Sequence, residues 1–539
     1  MSKLKKIAAV LASVGCISAA AAQENVKELK IGLSAEPSAM DPHFHNLTPN
    51  NSLLKHIIDR LTDQDENQRV KPALAVSWRT VNDTTWEFKL RPGVKFSNGA
   101  DFTANDVMYS YCRAPRVENS PSSFGIHVRA ISGMTAPDPL TLVITTDKPY
   151  PLLADELSSV GILSAKANGG GTVTFDRQAC KGVGTYPRTE QFNSGETAIG
   201  TGPYRLVRYT KGDRVILERN EGYWGDKPAW SRVIFRPITS AGPRVAALLS
   251  GDVDLIENIP IQDLERIKAN AGFKVVQALS NRVVYLHFDY LDDVAPGVGG
   301  AAAAKNPFRD KRVRTAISKA IDRDAIVARI MGGVAMAAAE MLPPTMFGAN
   351  KDARPAKPDQ DGAKKLLAEA GYPQGFALTL ATPNDRYVND AQVAQAVAQM
   401  LARLGLKVSV DAMTSSQFFA KRTRREFGFW LAGWISDTGE MSAQIKPLAA
   451  TPNRDKGWGT TNPGGYSNAQ VDALLEQALG TIDDGKRAAL LAQASRVAMA
   501  DYGVLPLHFE MTTWAMRKGL GYRPRVDQAT QATMVKRAP

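Results

Sequence analysis

Helical and strand periodicities alternate through the second half of this 539-residue chain, and that alternation limits the fold more than any other feature. Apolar residues recur at helical spacing over Val313–Ile321 and over Val393–Leu404. Leu406, Val408 and Val410 then follow at strand spacing. Helices that alternate with strands are typical of α/β proteins, in which the helices cover a sheet. We therefore predict an α/β fold.

The first half of the chain combines strand alternation with turn and capping signals. Apolar and polar residues alternate over Trp86–Leu90, which predicts a half-buried strand. We predict a second strand at Val94–Phe96, ending at the turn Asn98-Gly99. Thr103 and Asp106 have the spacing of a capping box and predict the start of a helix.

The N-terminus has the pattern of a secretory signal. Three lysines precede an uncharged, largely apolar run from Ile7 to Ala22, and small residues stand just before Gln23. This arrangement predicts a signal peptide over residues 1–22 that is cleaved on export. Lipid anchoring at Cys16 is the alternative. Beyond this run no stretch of about 18 consecutive apolar residues occurs, so we expect the mature protein to be soluble.

Charge and cysteine content restrict the partners of the exported chain. The formal charge is +12, or +9 without the three lysines of the signal, but the basic residues are spread along the chain. The densest cluster, Lys421–Arg425, fits a solvated helix face better than a nucleic-acid site. Cys112 and Cys180 remain after cleavage, and in an oxidising compartment we expect them to form a disulfide.

Catalytic motifs are missing from the sequence, which contains no H-E-x-x-H, G-x-S-x-G or P-loop pattern. An enzyme is therefore not expected, and neither is a cofactor or a resident metal. His43 and His45 form the one close histidine pair, which fits either a metal-chelate contact or a polar loop. Asp437 and Glu440 have the spacing of a capping box, in which Asp437 would be the N-cap residue of a helix and Glu440 its partner, unless another role is assigned.

Short motifs from Leu29 nearly to the C-terminus resemble, in order, those of the large solute-binding proteins of ABC importers. This family, family 5, contains the oligopeptide- and dipeptide-binding proteins. Each motif alone is weak, but their joint order is specific. The matching segments are Leu29–Gly32, Asp41-Pro42, Pro72–Trp78, Trp86–Phe96, Asn98-Gly99, Thr103–Val107, Gly200–Tyr204, Arg219–Trp224, Gly251–Asp254, Pro307–Arg314, Ala363–Tyr372, Gly433-Trp434 and Gly465–Asn468.

The resemblance implies a two-lobe periplasmic binding protein fold of the large type, whose lobes close on a ligand by hinge motion. Lobe I would comprise residues 23–283 and 508–539, with 56–200 as an added subdomain, and lobe II residues 284–507. The chain would cross between the lobes at Val283–Tyr290 and Val504–Phe509. The partners implied are a peptide or similar small solute and the permease subunits of the inner membrane. We expect a monomer.

The resemblance also implies a ligand site. The family's peptide binders hold the ligand's α-amino group with an Asp shortly after a Gly-Trp pair, and Asp437 after Trp434 matches it. Its dipeptide binders hold the ligand's carboxylate with an Arg before a helix, which Arg386 matches. Asn384 and Tyr387 flank this Arg, and with His45 they complete the predicted ligand-binding set, which is Asp437, Arg386, Trp434, Tyr387, Asn384 and His45.

One departure leaves the ligand open. The dipeptide binders continue after the Asp with Gly-Asp-Pro, whereas here Thr438–Met441 follow. Related proteins carry opines, oligosaccharides or nickel chelates, so a receptor for such a solute is the alternative to a peptide receptor. An exported hydrolase with scattered active-site residues is the alternative from a different class.

Overall fold

The computed structural model describes residues 27–538 of the chain. The predicted signal peptide, residues 1–22, and the alternative anchor at Cys16 lie outside the described residues. Between residues 27 and 538 the chain forms twenty strands and fifteen α-helices, joined by short 3-10 and π-helical turns. Within this range no helix is both long enough and apolar enough to cross a membrane.

The strands occur in both halves of the chain, with the longest near the middle and near the end. They are β1 (Glu28–Leu33), β2 (Thr62–Gln64), β3 (Val70–Pro72), β4 (Ala75–Asn82), β5 (Thr85–Leu90), β6 (Ile131–Asp138), β7 (Thr141–Thr146), β8 (Tyr204–Thr210), β9 (Arg214–Arg219), β10 (Arg232–Pro237), β11 (Leu255–Glu257), β12 (Phe273–Phe288), β13 (Val298–Gly299), β14 (Ala335–Ala337), β15 (Ala377–Pro383), β16 (Lys407–Met413), β17 (Phe429–Trp434), β18 (Leu505–Arg517), β19 (Leu520–Tyr522) and β20 (Val535–Arg537).

The longer helices lie mostly after residue 300, where the helical periodicity is strongest. The α-helices are α1 (Thr48–Leu54), α2 (Ala104–Arg113), α3 (Gly125–Val128), α4 (Leu153–Glu156), α5 (Thr189–Asn193), α6 (Ala241–Ser250), α7 (Ile261–Lys268), α8 (Lys311–Ala320), α9 (Arg323–Ala325), α10 (Gln360–Glu369), α11 (Asp390–Ala402), α12 (Ser415–Thr423), α13 (Ser442–Leu448), α14 (Ala469–Leu479) and α15 (Asp484–Ala500).

One mixed sheet of twelve strands runs through the described part of the molecule. Its order is β13-β15-β17-β12-β18-β11-β1-β10-β9-β8, with β14 beside β18 and β16 beside β15. We call β11, β1, β10, β9 and β8 the first sheet half, and β13, β15, β16 and β17 the second sheet half. A separate antiparallel sheet, β4-β5-β7-β6, lies in the predicted subdomain. The predicted α/β class is confirmed.

Strands β12 and β18 connect the two sheet halves, and their pairing is interrupted where they do so. The antiparallel ladder runs from Phe273 opposite Arg517 to Leu279 opposite Met511, and resumes at Val283 opposite Phe509. Beyond this point β12 also pairs with β17 of the second half, whereas before it β18 pairs with β11 of the first half. Residues 280–282 therefore leave the ladder at the crossing, next to the predicted lobe boundaries at 283 and 507.

Most local predictions in the first half are confirmed, and one is wrong. Trp86–Leu90 lies in β5, and the capping box of Thr103 and Asp106 starts α2. The strand predicted at Val94–Phe96 does not form, and this segment makes a single bridge between Lys95 and Asp101. The backbone of this segment instead bonds within a local turn: the Phe96 amide donates to the Ala100 carbonyl at 2.8 Å, and the Phe102 amide donates to the Val94 carbonyl at 3.0 Å.

The two cysteines of the described chain are bonded to each other. Cys112 lies fully buried on α2, and Cys180 lies in the loop region before α5, with their Cα atoms 6.1 Å apart. Sixty-eight positions separate them in the sequence, so the bond closes a long loop within residues 56–200. The disulfide thus ties the helical part of this region to its longest irregular segment.

Candidate ligand-binding cleft

Side chains from other parts of the chain donate hydrogen bonds to backbone carbonyls of the loop after β17. The side-chain amides of Gln64 and Gln68 donate to the Asp437 carbonyl at 3.0 and 3.1 Å. Gln68 and Asn281 also donate to the Ser436 carbonyl, at 2.9 and 2.8 Å. These bonds hold the loop after β17 against β2, the turn before β3 and the crossing strand β12.

Asp437 directs an unpaired carboxylate into this cleft. No ion pair or side-chain hydrogen bond to its carboxylate exists among residues 27–538, although solvent reaches the side chain. Burial by the surrounding protein raises the pKa of Asp437 above its usual 3.8; the nearby His127 and Arg282 oppose this shift, and Glu156 adds to it. The site therefore contains a carboxylate whose negative charge lacks a counterion.

Asp437 is not a helix cap, so the capping interpretation of Asp437 and Glu440 is wrong. Helix α13 begins at Ser442, with Met441 at the N-cap position. Glu440 instead accepts a hydrogen bond from the Ser442 hydroxyl and pairs with Arg487 at 3.2 Å. A local structural role thus accounts for Glu440 but leaves the Asp437 side chain unexplained.

The Asp437 side chain faces a small cavity of about 80 Å³, which we call the polar cavity. Ile435 and Ala529 are the apolar members of its walls; the other lining residues carry polar side chains. These are Asn46, Thr48, Asn51, Ser52, Lys55, Arg60, Gln64, Gln68, Ser158, Ser159, Ser436, Asp437 and Asp527. Such a lining suits a charged or strongly hydrogen-bonding group rather than a hydrocarbon side chain.

A neighbouring cavity of about 590 Å³, which we call the arginine cavity, shares Thr48, Ser52 and Ala529 with the polar cavity. Its volume lies within the roughly 300–1,000 Å³ that is usual for small-molecule sites. Arg386 lines it with an exposed guanidinium that makes no ion pair or hydrogen bond in the described chain. Arg282, by contrast, is paired with Glu510 at 3.3 Å.

Tyr387 explains why a glycine precedes Trp434. The Tyr387 ring packs on Gly433 so closely that a Cβ there would lie 2.7 Å from the ring, and its hydroxyl donates to the Gly433 carbonyl at 3.1 Å. Tyr387 also lines the arginine cavity. The Trp434 indole donates to the Ala443 carbonyl at 2.9 Å, and Trp434 lines neither the polar nor the arginine cavity.

Two further residues of the predicted set lie away from these cavities. Asn384 is exposed and lines a separate surface groove beside β16 and α12. His45 bonds through Nδ1 to the Ser38 hydroxyl, while His43 is fully buried, bonds to the Gly161 carbonyl and has its pKa lowered to about 3 by burial. The histidine pair therefore does not converge on one point, and no group of three potential metal-binding side chains occurs in residues 27–538.

Sequence reasoning missed the residues that hold the cleft together, namely Gln64, Gln68, Asn281 and Arg282. A signal existed for the last two, since Ser280–Arg282 is a run of three consecutive polar residues inside the mainly apolar β12. The two glutamines lie in and next to the short strands β2 and β3, where nothing in the local pattern marks them.

A family model now gives this geometry a wider context. The model described as bacterial extracellular solute-binding proteins, family 5, middle region, matches residues 69–456. The chain belongs to this family. Among curated relatives, the glutathione-binding protein GsiB of Salmonella paratyphi A is 29% identical over 521 residues, which cover 95% of this chain and 94% of GsiB.

Solved structures of family relatives show the same fold. The periplasmic binding protein DppA from Helicobacter pylori, in complex with the peptide STSA, has a TM-score of 0.74 at 22% identity, covering 95% of this chain and 98% of that one. NikZ from Campylobacter jejuni, in complex with Ni(L-His), has a TM-score of 0.75 at 22% identity, covering 95% and 99%. The chain therefore has the predicted two-lobe periplasmic binding protein fold.

Proposed function

We propose that this family 5 protein captures short peptides between its lobes and delivers them to an ABC permease. The observation that carries the proposal is the pair of unsatisfied opposite charges, Asp437 and Arg386, on neighbouring cavities of one cleft. A zwitterionic peptide supplies an ammonium for the first and a carboxylate for the second. GsiB, named as a glutathione-binding protein, and DppA, solved in complex with the peptide STSA, support this ligand class.

The physical basis is the strength of charge-assisted hydrogen bonds in a site with little water. An ammonium bonded to Asp437 gains more from the attraction in the closed cleft than it would at an exposed surface. Arg386 offers a planar fork that matches a carboxylate with two parallel bonds. Recognition of both ends fixes the peptide's direction and leaves its side chains to the remaining volume of the arginine cavity.

Export and transport follow from the same role. The predicted cleavage after residue 22 would release the protein into the periplasm, where the monomer binds its solute without catalysis and docks on the inner-membrane permease. A receptor for an opine, an oligosaccharide or a nickel chelate is the competing function, and the complex of NikZ with Ni(L-His) favours its chelate version. An exported hydrolase has no comparable support in the site.

Native mass spectrometry of the purified protein with its co-purified ligand separates these functions directly. An intact peptide supports the proposal, whereas a sugar, an opine or a metal chelate replaces it with the competing receptor function. Conversion of an added peptide to fragments would instead indicate the hydrolase.

Arg386→Gln is expected to abolish the preference for a free peptide carboxylate. A hydrogen bond to a charged group contributes about 1.5–3 kcal/mol, and because Arg386 is exposed we expect the lower end, about tenfold in affinity. Calorimetric titration would compare a tripeptide with its C-terminal amide on both proteins. The matched control is Arg403→Gln, an exposed arginine after α11 outside both cavities. An undiminished preference in the Arg386 variant would exclude Arg386 as the carboxylate anchor.

Peptide binding is also expected to change the shape of the protein in solution. The crossing strands β12 and β18 and the interruption at residues 280–282 provide a hinge about which the lobes can rotate. Small-angle scattering should give a smaller radius of gyration with saturating peptide than without it. An identical radius, with binding demonstrated by calorimetry in the same sample, would contradict closure by hinge motion.

A further inference from the structure

The polar cavity contains a second charge that the proposed function has not used. Arg60 lies in the segment between α1 and β2. It is only 3% exposed, yet it is one of the residues that line this cavity. Asp437 lines the same cavity but lies far away in the sequence, in the loop after β17. A buried guanidinium is costly to maintain unless an anion or hydrogen-bond acceptors compensate its charge.

The compensation that Arg60 receives from the protein is incomplete. Its Nη1 donates to the Ile58 carbonyl, while Nε is buried and has no hydrogen-bond partner. No carboxylate lies within ion-pair distance of its guanidinium in residues 27–538. Burial lowers the pKa of Arg60 to about 10, so the group remains charged at neutral pH.

Asp63 and Asp59 are the carboxylates whose charges act on Arg60, but both already bind other groups. Asp59 accepts hydrogen bonds from the Trp224 indole at 2.8 Å and from the Thr201 hydroxyl at 3.0 Å. Asp63 pairs with Lys55 at 2.9 Å and with Lys71 at 3.2 Å. Neither can therefore act as a dedicated partner of Arg60.

The charges around the polar cavity can now be compared. Lys55 is neutralised by Asp63, and Asp527 is neutralised by Arg525 at 2.7 Å. The unpaired charges of the walls are then one cation, Arg60, and one anion, Asp437, and these two form no ion pair with each other. A cavity with one unpaired charge of each sign matches a ligand end that carries both signs.

We propose that the polar cavity binds a peptide end with a carboxylate beside its ammonium, the ammonium at Asp437 and the carboxylate at Arg60. This inference rests on the proposed peptide function and specifies the class of peptide. Two chemistries supply such an end. One is an ordinary peptide whose first residue is Asp or Glu; the other is a γ-linked glutamyl peptide, in which the first residue keeps its own α-carboxylate.

The remaining walls agree with this ligand end. Ser158, Ser159 and Ser52 offer hydroxyls, and Asn46 and Asn51 offer amides, which can complete the hydrogen bonds of a carboxylate and an ammonium. The buried Oδ1 of Asn51 has no hydrogen-bond partner and can accept from an ammonium. An apolar first side chain would leave these groups and Arg60 unsatisfied, so the cavity discriminates against it.

Calorimetric titration of the whole mature protein with four tripeptides tests the proposal. The probes are Glu-Ala-Gly, γ-Glu-Ala-Gly, Gln-Ala-Gly and N-acetyl-Gln-Ala-Gly. The first two carry the same charges and differ in the linkage of the glutamyl residue, the third lacks the extra carboxylate, and the fourth also lacks the ammonium. We expect at least one of the two glutamyl peptides to bind about tenfold or more tightly than Gln-Ala-Gly, and the tighter one identifies the linkage. Arg60→Gln should remove this difference, because the two glutamyl peptides lose the partner of their extra carboxylate and Gln-Ala-Gly has no such group to lose.

The outcomes distinguish this inference from the proposed function. If Gln-Ala-Gly binds as tightly as both glutamyl peptides and the acetylated peptide binds poorly, the carboxylate subsite is refuted and the peptide function stands. If none of the four binds, both fail together. If Arg60→Gln does not fold, the ratio measured on the unaltered protein still decides, and Arg60→Lys should retain part of the preference because it keeps the charge but not the fork.

Discussion

Asp437→Asn is expected to weaken binding of a free peptide by roughly 30-fold to several thousandfold. Asn keeps the size of the side chain but removes the charge that pairs with the ligand's ammonium. Solvent reaches Asp437 in this structure, so this magnitude applies to a bound peptide that shields the carboxylate. Loss of one partner of such a shielded, hydrogen-bonded charge pair typically costs ~2–5 kcal/mol. Because no side-chain contact within the described chain uses the Asp437 carboxylate, the loss should fall on the ligand and not on the fold.

The free energy of unfolding of Asp437→Asn should not fall with its affinity. An Asp whose pKa is raised by folding disfavours the folded state once it is ionised, so a neutral Asn should leave the free energy of unfolding unchanged or increase it. Titration calorimetry and urea denaturation of the same preparations would show both effects. Asp411→Asn is the matched control, since Asp411 is an exposed carboxylate on β16 outside the polar and arginine cavities.

Peptides with an acetylated N-terminus give an internal check. They should bind poorly to the unaltered protein and lose little more in the Asp437 variant, because the interaction is already missing. If the variant bound the free peptide as tightly as the original protein does, the ammonium would have to be held elsewhere, and a sugar or chelate ligand would gain support.

The same charge predicts how binding depends on pH. The ammonium binds the ionised form of Asp437, and the raised pKa means that this form begins to be lost at a pH above 3.8. Affinity for a free peptide should therefore fall as the solution is acidified through the raised pKa. Asp437→Asn should make the remaining affinity independent of pH in this range, which parallel titrations would measure.

Removal of the disulfide is the second large effect that we expect. For a loop of 68 positions the chain-entropy model gives about 4 kcal/mol of stabilisation, which Cys112→Ala with Cys180→Ala would forfeit. Urea denaturation should show this loss in the transition that includes residues 56–200. Peptide affinity should change far less, because neither cysteine lines the polar or the arginine cavity.

Redox control separates loss of the bond from loss of the buried Cys112 side chain. Reduction of the unaltered protein should lower its stability by an amount close to that of the double variant. Mass spectrometry of non-reduced exported protein should show no free thiol. Free thiols at both positions in the exported protein would contradict a native disulfide.

Local chemistry explains what could be predicted from the sequence. The alternation over Trp86–Leu90 and the box of Thr103 and Asp106 depend on neighbours within a few residues, and both are present in the fold. Val94–Phe96 has strand-like composition too, but its backbone groups bond to Ala100 and Phe102 in a local turn, and its composition does not distinguish that turn from a strand. Helix α1 was also missed, because no side chain caps its start.

In the cleft, too, only residues with a local sequence motif could be predicted. Asp437 and Arg386 are predicted from local motifs that resemble those of the family's peptide binders, and both residues line the cavities. Gln68 and Arg60 have no such local motif, and their roles arise only when chain segments several hundred positions apart meet across the cleft. Asn384 belongs to the predicted ligand-binding set because it is a neighbour of Arg386. The chain turns between the two residues, and Asn384 lines the separate surface groove beside β16 and α12.

The interruption between β12 and β18 gives this protein a way to change its affinity without changing a ligand contact. Arg282 in this segment pairs with Glu510, and Asn281 holds the Ser436 carbonyl beside Asp437. Under the proposed hinge motion, substitutions here would shift the populations of open and closed molecules. The apparent Kd is the intrinsic Kd divided by the fraction of molecules in the conformation that can bind. If a substitution lowers that fraction about tenfold, the apparent Kd rises about tenfold. Uptake thresholds could therefore diverge between relatives whose binding pockets are identical.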